Sequence, residues 1–223
     1  MQRLLFLALI LFLTCAFAAP VTYTTRSSFL ANPSVTSTVN INFDGYSTGT
    51  AITNQTISGA TFNSPGGIPL QVIAGSTGVR YAMSPSTGAN VLSPGGSNTS
   101  QQQDDLELVF SNPVKAVGLD VVFDVPDGAA YVAIYFYDAS NNLIAQIAPH
   151  IPAPVGAPGY QFVGLVADSA IIARVLVDEW DDSANDDHVA YDSIVFTSPV
   201  PEPISFSLIF LGCLSILWVI RKK

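Results

Sequence analysis

Along the middle of the chain, apolar and polar residues alternate with a period of two. Leu106, Leu108 and Phe110 share one parity, with Glu107 and Val109 between them. Val117, Leu119, Val121 and Phe123 repeat the pattern, with Gly118 and Asp120 among the intervening positions. Successive side chains of a strand point to opposite faces, so this spacing predicts half-buried strands. Residues 130–137, 171–177 and 189–196 are further β-branched and aromatic runs, bounded by Asn-Pro, Pro-Asp-Gly, Ser-Asn-Asn and Asp-rich turn sequences. The N-terminal half is less regular. Short candidate strands near 70–74 and 79–82 are flanked by the loop sequences Ser64-Pro65-Gly66-Gly67 and Ser93-Pro94-Gly95-Gly96-Ser97-Asn98. Residues 97–103 are polar and uncharged and read as a loop, and the Pro/Gly stretch 149–159 is too long for a hairpin turn. Residues 25–32 allow one short helical turn, but nothing between 19 and 199 sustains a 3.6-residue period. The pattern predicts an all-β domain, an antiparallel β-sandwich.

The two ends of the chain break this pattern. Residues 204–220 form one apolar run, interrupted only by Ser205, Ser207, Gly212 and Ser215 and followed by Arg221, Lys222 and Lys223. As a helix the run spans roughly 25 Å at 1.5 Å per residue, short but adequate for a bilayer core of about 30 Å. The basic cluster then marks the cytoplasmic side. At the other end, Arg3 precedes a continuous apolar stretch from 4 to 13, and Ala16-Phe17-Ala18 places small residues where a signal peptidase reads. Residues 1–18 are therefore expected to be a secretory signal peptide, cut after Ala18. Cys15 admits a lipoprotein reading, against which stand the bulky Thr14 and Phe12. A glycolipid-anchor signal would also end in an apolar tail, though usually without a basic terminus.

Between these segments lies one domain, residues 19–199. Both cysteines, Cys15 and Cys213, fall outside it, so it has no disulfide, thiolate metal site or cysteine nucleophile. Its four basic residues, Arg26, Arg80, Lys115 and Arg174, face sixteen acidic ones, a net charge of −12. Such a field repels nucleic acid and polyanionic polysaccharide and is compatible with neutral glycans and divalent cations.

The tail as a whole, Pro201-Glu202-Pro203, the apolar run and the Arg221, Lys222, Lys223 cluster, resembles the PEP-CTERM sorting signal of Gram-negative and related bacteria. That resemblance implies recognition by an exosortase, a membrane-embedded cysteine protease, with cleavage near the tripeptide and release or attachment of the domain to extracellular polysaccharide. The likeness extends into the domain. Phe43-Asp44-Gly45, Gly49-Thr50-Ala51-Ile52, Gly59-Ala60-Thr61-Phe62, Val117-Gly118-Leu119-Asp120 and Tyr191-Asp192-Ser193-Ile194 are similar to pieces of carbohydrate-binding, galactose-binding-like jelly rolls carried by many PEP-CTERM proteins. In those jelly rolls a structural Ca²⁺ commonly lies where the first and last strands meet. The resemblance therefore implies Asp44 and Asp192 as metal ligands, each expected within a strand pattern.

The remaining candidate chemistry is weaker. Asp178, Glu179, Asp181, Asp182, Asp186 and Asp187 crowd one stretch that lacks EF-hand spacing and reads first as a solvated acidic loop. Tyr131, Tyr135 and Tyr137 share a parity opposite Val132, Ile134 and Phe136; with Tyr160 and Trp180 they are candidates for stacking on sugars, or simply for half-covering a sheet face. Gly45-Tyr46-Ser47-Thr48-Gly49 fits the nucleophile-elbow spacing without a helical sequence after it, so it reads as a turn. His150 and His188 have no histidine partner at metal spacing. The expectation is a non-enzymatic, adhesive or structural surface protein; the alternative is a polysaccharide-active enzyme, which needs two facing carboxylates.

Overall fold

The computed structural model of the chain describes residues 19–75, 83–96, 105–123, 132–147, 159–179 and 189–198. The expected signal peptide (1–18, with Ala16 and Ala18) lies outside them. So does the expected sorting tail, with Pro201, Glu202, Pro203, the run 204–220, Arg221, Lys222 and Lys223. Among the described residues no helix is long and apolar enough to cross a membrane.

The elements are β1 (Val21–Tyr23), α1 (Arg26–Leu30), β2 (Thr38–Ile41), β3 (Gln55–Ile57), β4 (Ala60–Asn63), β5 (Leu70–Ala74) and β6 (Asn90–Pro94). They continue with β7 (Leu106–Val114), β8 (Ala116–Phe123), β9 (Val132–Tyr137), β10 (Leu143–Ile147), β11 (Gly159–Val166), β12 (Ile172–Glu179) and β13 (Val189–Thr197). Among the described residues the strands form two sheets. The first runs β1-β11-β8-β13-β6-β5, with β2 also on β13; the second runs β10-β9-β12-β7-β4-β3. Within β6 to β13 the orders β6-β13-β8-β11 and β7-β12-β9-β10 emerge, and the chain changes sheet at every step except β9 to β10. That is the double Greek-key winding of a jelly roll.

The alternation read in the sequence is what closes the two sheets on each other. Leu106, Leu108 and Phe110 of β7 meet Val117, Leu119, Val121 and Phe123 of β8 in one core, joined by Val132, Ile134 and Phe136 of β9 and by Val175 and Val177 of β12. β8 is buried along its whole length because its other face is covered too. There Phe29 of α1 packs with Ala116, Phe162, Val166 and Val195 in a second cluster. Gly118 and Gly164 permit the approach: a Cβ at 118 would lie 2.3 Å from Phe162 Cζ, and one at 164 would lie 2.8 Å from Phe29 Cδ2. Ile73, Met83, Val91, Val122 and Ala190 form a third cluster on the same outer face.

Three expectations change. Asn112-Pro113 does not end a strand but sits inside β7. There Val114 pairs with Ile172 and Val109 with Arg174, so the residues between bulge outward, where a proline without an N–H is tolerated. Ser93 and Pro94, read as loop, complete β6 against β5. β10 and β11 are expected only as the two strands that the 149–159 stretch joins, without bounds; the first is an edge strand with no clean alternation, and the second emerges directly from the Pro/Gly stretch.

Candidate functional site

Between the two apolar clusters on the outer face of the first sheet runs a polar seam, created by a change of parity in β13. Val189 and Tyr191 point into the core, as do Ile194 and Phe196, so one residue must be gained between them. Register shows it: Asp192 pairs with Asp120 but Val195 pairs with Gly118, leaving Ser193 and Ile194 opposite Leu119. This is a β-bulge, and Ser193 takes the left-handed conformation it needs, with φ 46°. The bulge also marks where β13 exchanges neighbours, from β6 at Tyr191 to β2 from Ile194 onward.

Asp192 lies in that junction, wholly buried. Its Oδ2 accepts from Ser86 Oγ at 2.9 Å, Thr87 N at 2.9 Å and Thr87 Oγ1 at 3.3 Å. Its Oδ1 accepts from Ser193 N at 2.7 Å. Burial pushes its carboxyl above the usual aspartate range, the hydrogen bonds oppose that shift, and neighbouring Asp120 adds to it. Across the pair, Asp120 Oδ2 accepts from Arg26 Nη2 at 2.8 Å. The same nitrogen donates to the Ser193 carbonyl, and the guanidinium lies 4.7 Å over the Phe162 ring.

The structure brings Asp44 to the same loop by a different route. It is not in a strand, as expected, but in an exposed turn after β2. Its Oδ1 accepts from Ala89 N at 2.7 Å and Asn90 N at 3.1 Å, capping the segment that leads into β6. Gly88 is required there: its φ is +58°, and a Cβ would fall 1.9 Å from Asp44 Oδ2. Asp44 and Asp192 thus tie down the two halves of the 86–90 loop. Among the described residues no group of three or more His, Cys, Asp or Glu side chains is arranged to hold a metal ion.

Two facing carboxylates, as a glycoside-cleaving enzyme would need, do occur as Asp120 and Asp192. One is paired with Arg26 and the other closed over by the loop. Gly45-Tyr46-Ser47-Thr48-Gly49 forms a turn, with Tyr46 N donating to Phe43 O and Thr50 N to Ser47 O.

The second sheet presents a different surface. Tyr135 and Tyr137 lie on its outer face, half-buried, with ring centroids 6.4 Å apart and planes 25° apart. Cross-strand register aligns Tyr137, Arg174, Val109, Thr61 and Thr56 in one row and Tyr135, Leu176, Glu107 and Asn63 in the next. Arg174 lies 3.9 Å over the Tyr137 ring and donates to Glu107 Oε1 at 2.9 Å and Asn141 Oδ1 at 2.6 Å. Asn63 Nδ2 donates to Glu107 Oε2 at 2.9 Å. The acidic stretch begins inside β12, with Asp178 half-buried and its carboxyl raised by that burial, and Glu179 buried. Tyr131, Trp180 and Asp181 to Asp187 lie outside the described residues.

No protein-family model matches this chain, and no curated protein matches it in sequence. Solved structures give distant likenesses. Two cleaved adhesin domains of Lys-gingipain from Porphyromonas gingivalis align at 17% and 13% identity, over 72% and 74% of this chain and 98% and 99% of theirs, with TM-scores of 0.41 and 0.44. A family 29 carbohydrate-binding module complexed with cellulohexaose aligns at 14% identity over 72% of this chain and 92% of its own, with a TM-score of 0.31. At these scores the likenesses fix neither the ligand nor the site of this chain; its β-sandwich stands on its own strand pairing and core.

Proposed function

We infer that this chain is an exported surface or matrix protein whose sandwich binds neutral glycan on the outer face of the second sheet. The observation that carries the reading is the Tyr135–Tyr137 pair, bordered by the connected side chains of Arg174, Glu107 and Asn63. The ring surface that the Arg174 guanidinium leaves uncovered offers apolar area to the C–H faces of sugars, and guanidinium, carboxylate and amide groups supply donors and acceptors for hydroxyls. The net charge of −12 on residues 19–199 favours a neutral polymer over an anionic one. The experiment is affinity electrophoresis of the full-length protein in gels holding neutral or acidic polysaccharides, comparing the parent with Tyr135→Ala and Tyr137→Ala.

Delivery is the second part of the reading. The signal-like sequence of residues 1–18 and the Pro201-Glu202-Pro203 tail support export, temporary anchoring through the apolar run 204–220, and processing by an exosortase at the envelope of a Gram-negative-type bacterium. Mass spectrometry of the mature C-terminus from cells with and without the exosortase tests it; an intact tail in both leaves a plain membrane tether. A structural Ca²⁺ at Asp44 and Asp192 belongs to the same reading. It would tie the loop that their hydrogen bonds already tie, and its binding would raise the melting temperature at millimolar Ca²⁺.

A further inference from the structure

On the face opposite the tyrosines, a cavity of about 430 Å³ opens between the start of α1, the 86–87 loop and the outer faces of β8 and β11. Arg26, Ser86, Thr87, Asp120, Tyr160 and Gln161 are among the residues that line it. Its volume is that of a small-ligand site. Almost every polar atom of the seam beside it is matched, as the Asp192 and Arg26 contacts show. One is not. Asp120 is 1% exposed, its Oδ2 is held by Arg26, and its Oδ1 has no hydrogen-bond partner. Buried carboxylate oxygens are ordinarily satisfied, so this open acceptor is an exception that a donor bound in the cavity would resolve.

The surroundings decide what kind of donor fits. The Arg26 guanidinium on the sister oxygen repels a metal ion or an ammonium group at this point. Otherwise the wall offers hydroxyls, the Gln161 amide and the Phe162 ring, none of them charged, and its polar groups both give and accept hydrogen bonds. Tyr160, 50% exposed, stands at the rim as an apolar face with a polar tip. We propose that this cavity binds a single neutral sugar ring, one hydroxyl of which donates to Asp120 Oδ1 while others exchange hydrogen bonds with Ser86, Thr87 and Gln161. The ring is a free monosaccharide or the terminal residue of a glycan, which present the same hydroxyls.

This site does not rest on the tyrosine face, and its test separates the two. The full-length protein is titrated with glucose, galactose, mannose, fucose and xylose by calorimetry and by tyrosine fluorescence. Parallel runs use Tyr160→Ala, Asp120→Asn and Tyr135→Ala. Tyr160→Ala alters only an exposed rim residue, so it reports on binding even where Asp120→Asn impairs folding. At least one sugar is expected to bind with a stoichiometry of one, to weaken at least tenfold in Tyr160→Ala and in folded Asp120→Asn, and to be unchanged in Tyr135→Ala. Displacement of bound polysaccharide by that free sugar would identify the terminal residue of a chain as the natural ligand. The proposal is overturned if no sugar binds, if binding survives in Tyr160→Ala and is lost only in Tyr135→Ala, or if Ca²⁺ rather than a sugar binds in an Asp120-dependent way.

Discussion

Replacing Asp192 with alanine removes the acceptor that holds the 86–87 loop to the β13 bulge. Four donors lose this partner, but unequally, and Thr87 Oγ1 keeps its hydrogen bond with Ser193 Oγ. Ser193 N is buried and stays orphaned, while Ser86 Oγ and Thr87 N sit where water can replace the carboxylate. A buried orphan costs about 1–3 kcal/mol and a bond to a charged acceptor contributes about 1.5–3 kcal/mol; with partial rehydration and relief of the Asp120 repulsion, the expected loss is about 2–3 kcal/mol. For a domain of this size that is a fall of roughly 5–10 °C in melting temperature. Asp192→Asn should lose less, since its oxygen can still serve the loop while only Ser193 N faces an amide.

The pH dependence has a defined sign. Burial raises the folded-state carboxyl of Asp192 above its unfolded value, so the native state holds its proton over a window where the unfolded state has released it. The contribution is fully present below the unfolded value of 3.8 and is lost as pH rises through the raised folded value. Urea denaturation of the parent and Asp192→Asn across this range should show a stability difference that widens on acidification. If Asp192→Ala lies within about 0.5 kcal/mol of the parent, as ordinary surface changes do, the anchoring role is wrong; if the difference is flat with pH, the raised carboxyl is wrong.

Gly88→Ala should destabilise by about 2 kcal/mol or more, since a left-handed φ alone costs about 1–2 kcal/mol for a residue with a Cβ and Asp44 must also move; chemical denaturation measures it. Phe29→Ala, at the only buried position of α1, should cost about 3–5 kcal/mol and leave Gly164 uncovered, detected as faster amide exchange in β11. Millimolar Ca²⁺ should raise the melting temperature of the parent but not of an Asp44→Asn variant. An unchanged melting temperature with Ca²⁺ and with EDTA removes the metal from the account.

The strands that carry the core were legible because their environment is simple. β7, β8 and β9 show one apolar parity each, as a sheet face demands, and β12 and β13 stand out as β-branched and aromatic runs. β10 and β11 were legible only as strands on either side of 149–159, without bounds, because an edge strand needs no strict alternation, and Gly159 follows a Pro/Gly stretch that hides the strand start. The polar seam was half legible. Asp192 was singled out, while its partner Asp120 was noted only as a residue between apolar positions. Which aspartates face each other depends on register, and register here turns on a bulge at Ser193 whose trace in the sequence is a parity change from Tyr191 to Ile194. A sharper signal was present: Asp120 is the one charge in β8, and Arg26 is one of four basic residues in the domain. The shared parity of Tyr135 and Tyr137 was legible from the first, but Arg174, Glu107 and Asn63 join them only through cross-strand pairing.

The central claim is that the tyrosine face of the second sheet binds neutral glycan, and affinity electrophoresis tests it directly. The full-length protein should be retarded by at least one neutral polysaccharide. Tyr135→Ala and Tyr137→Ala should each weaken the retardation by about tenfold, as loss of an aromatic anchor does, with the fold intact by circular dichroism. Absence of retardation on every neutral polymer, or equal retardation of parent and both variants, would contradict it.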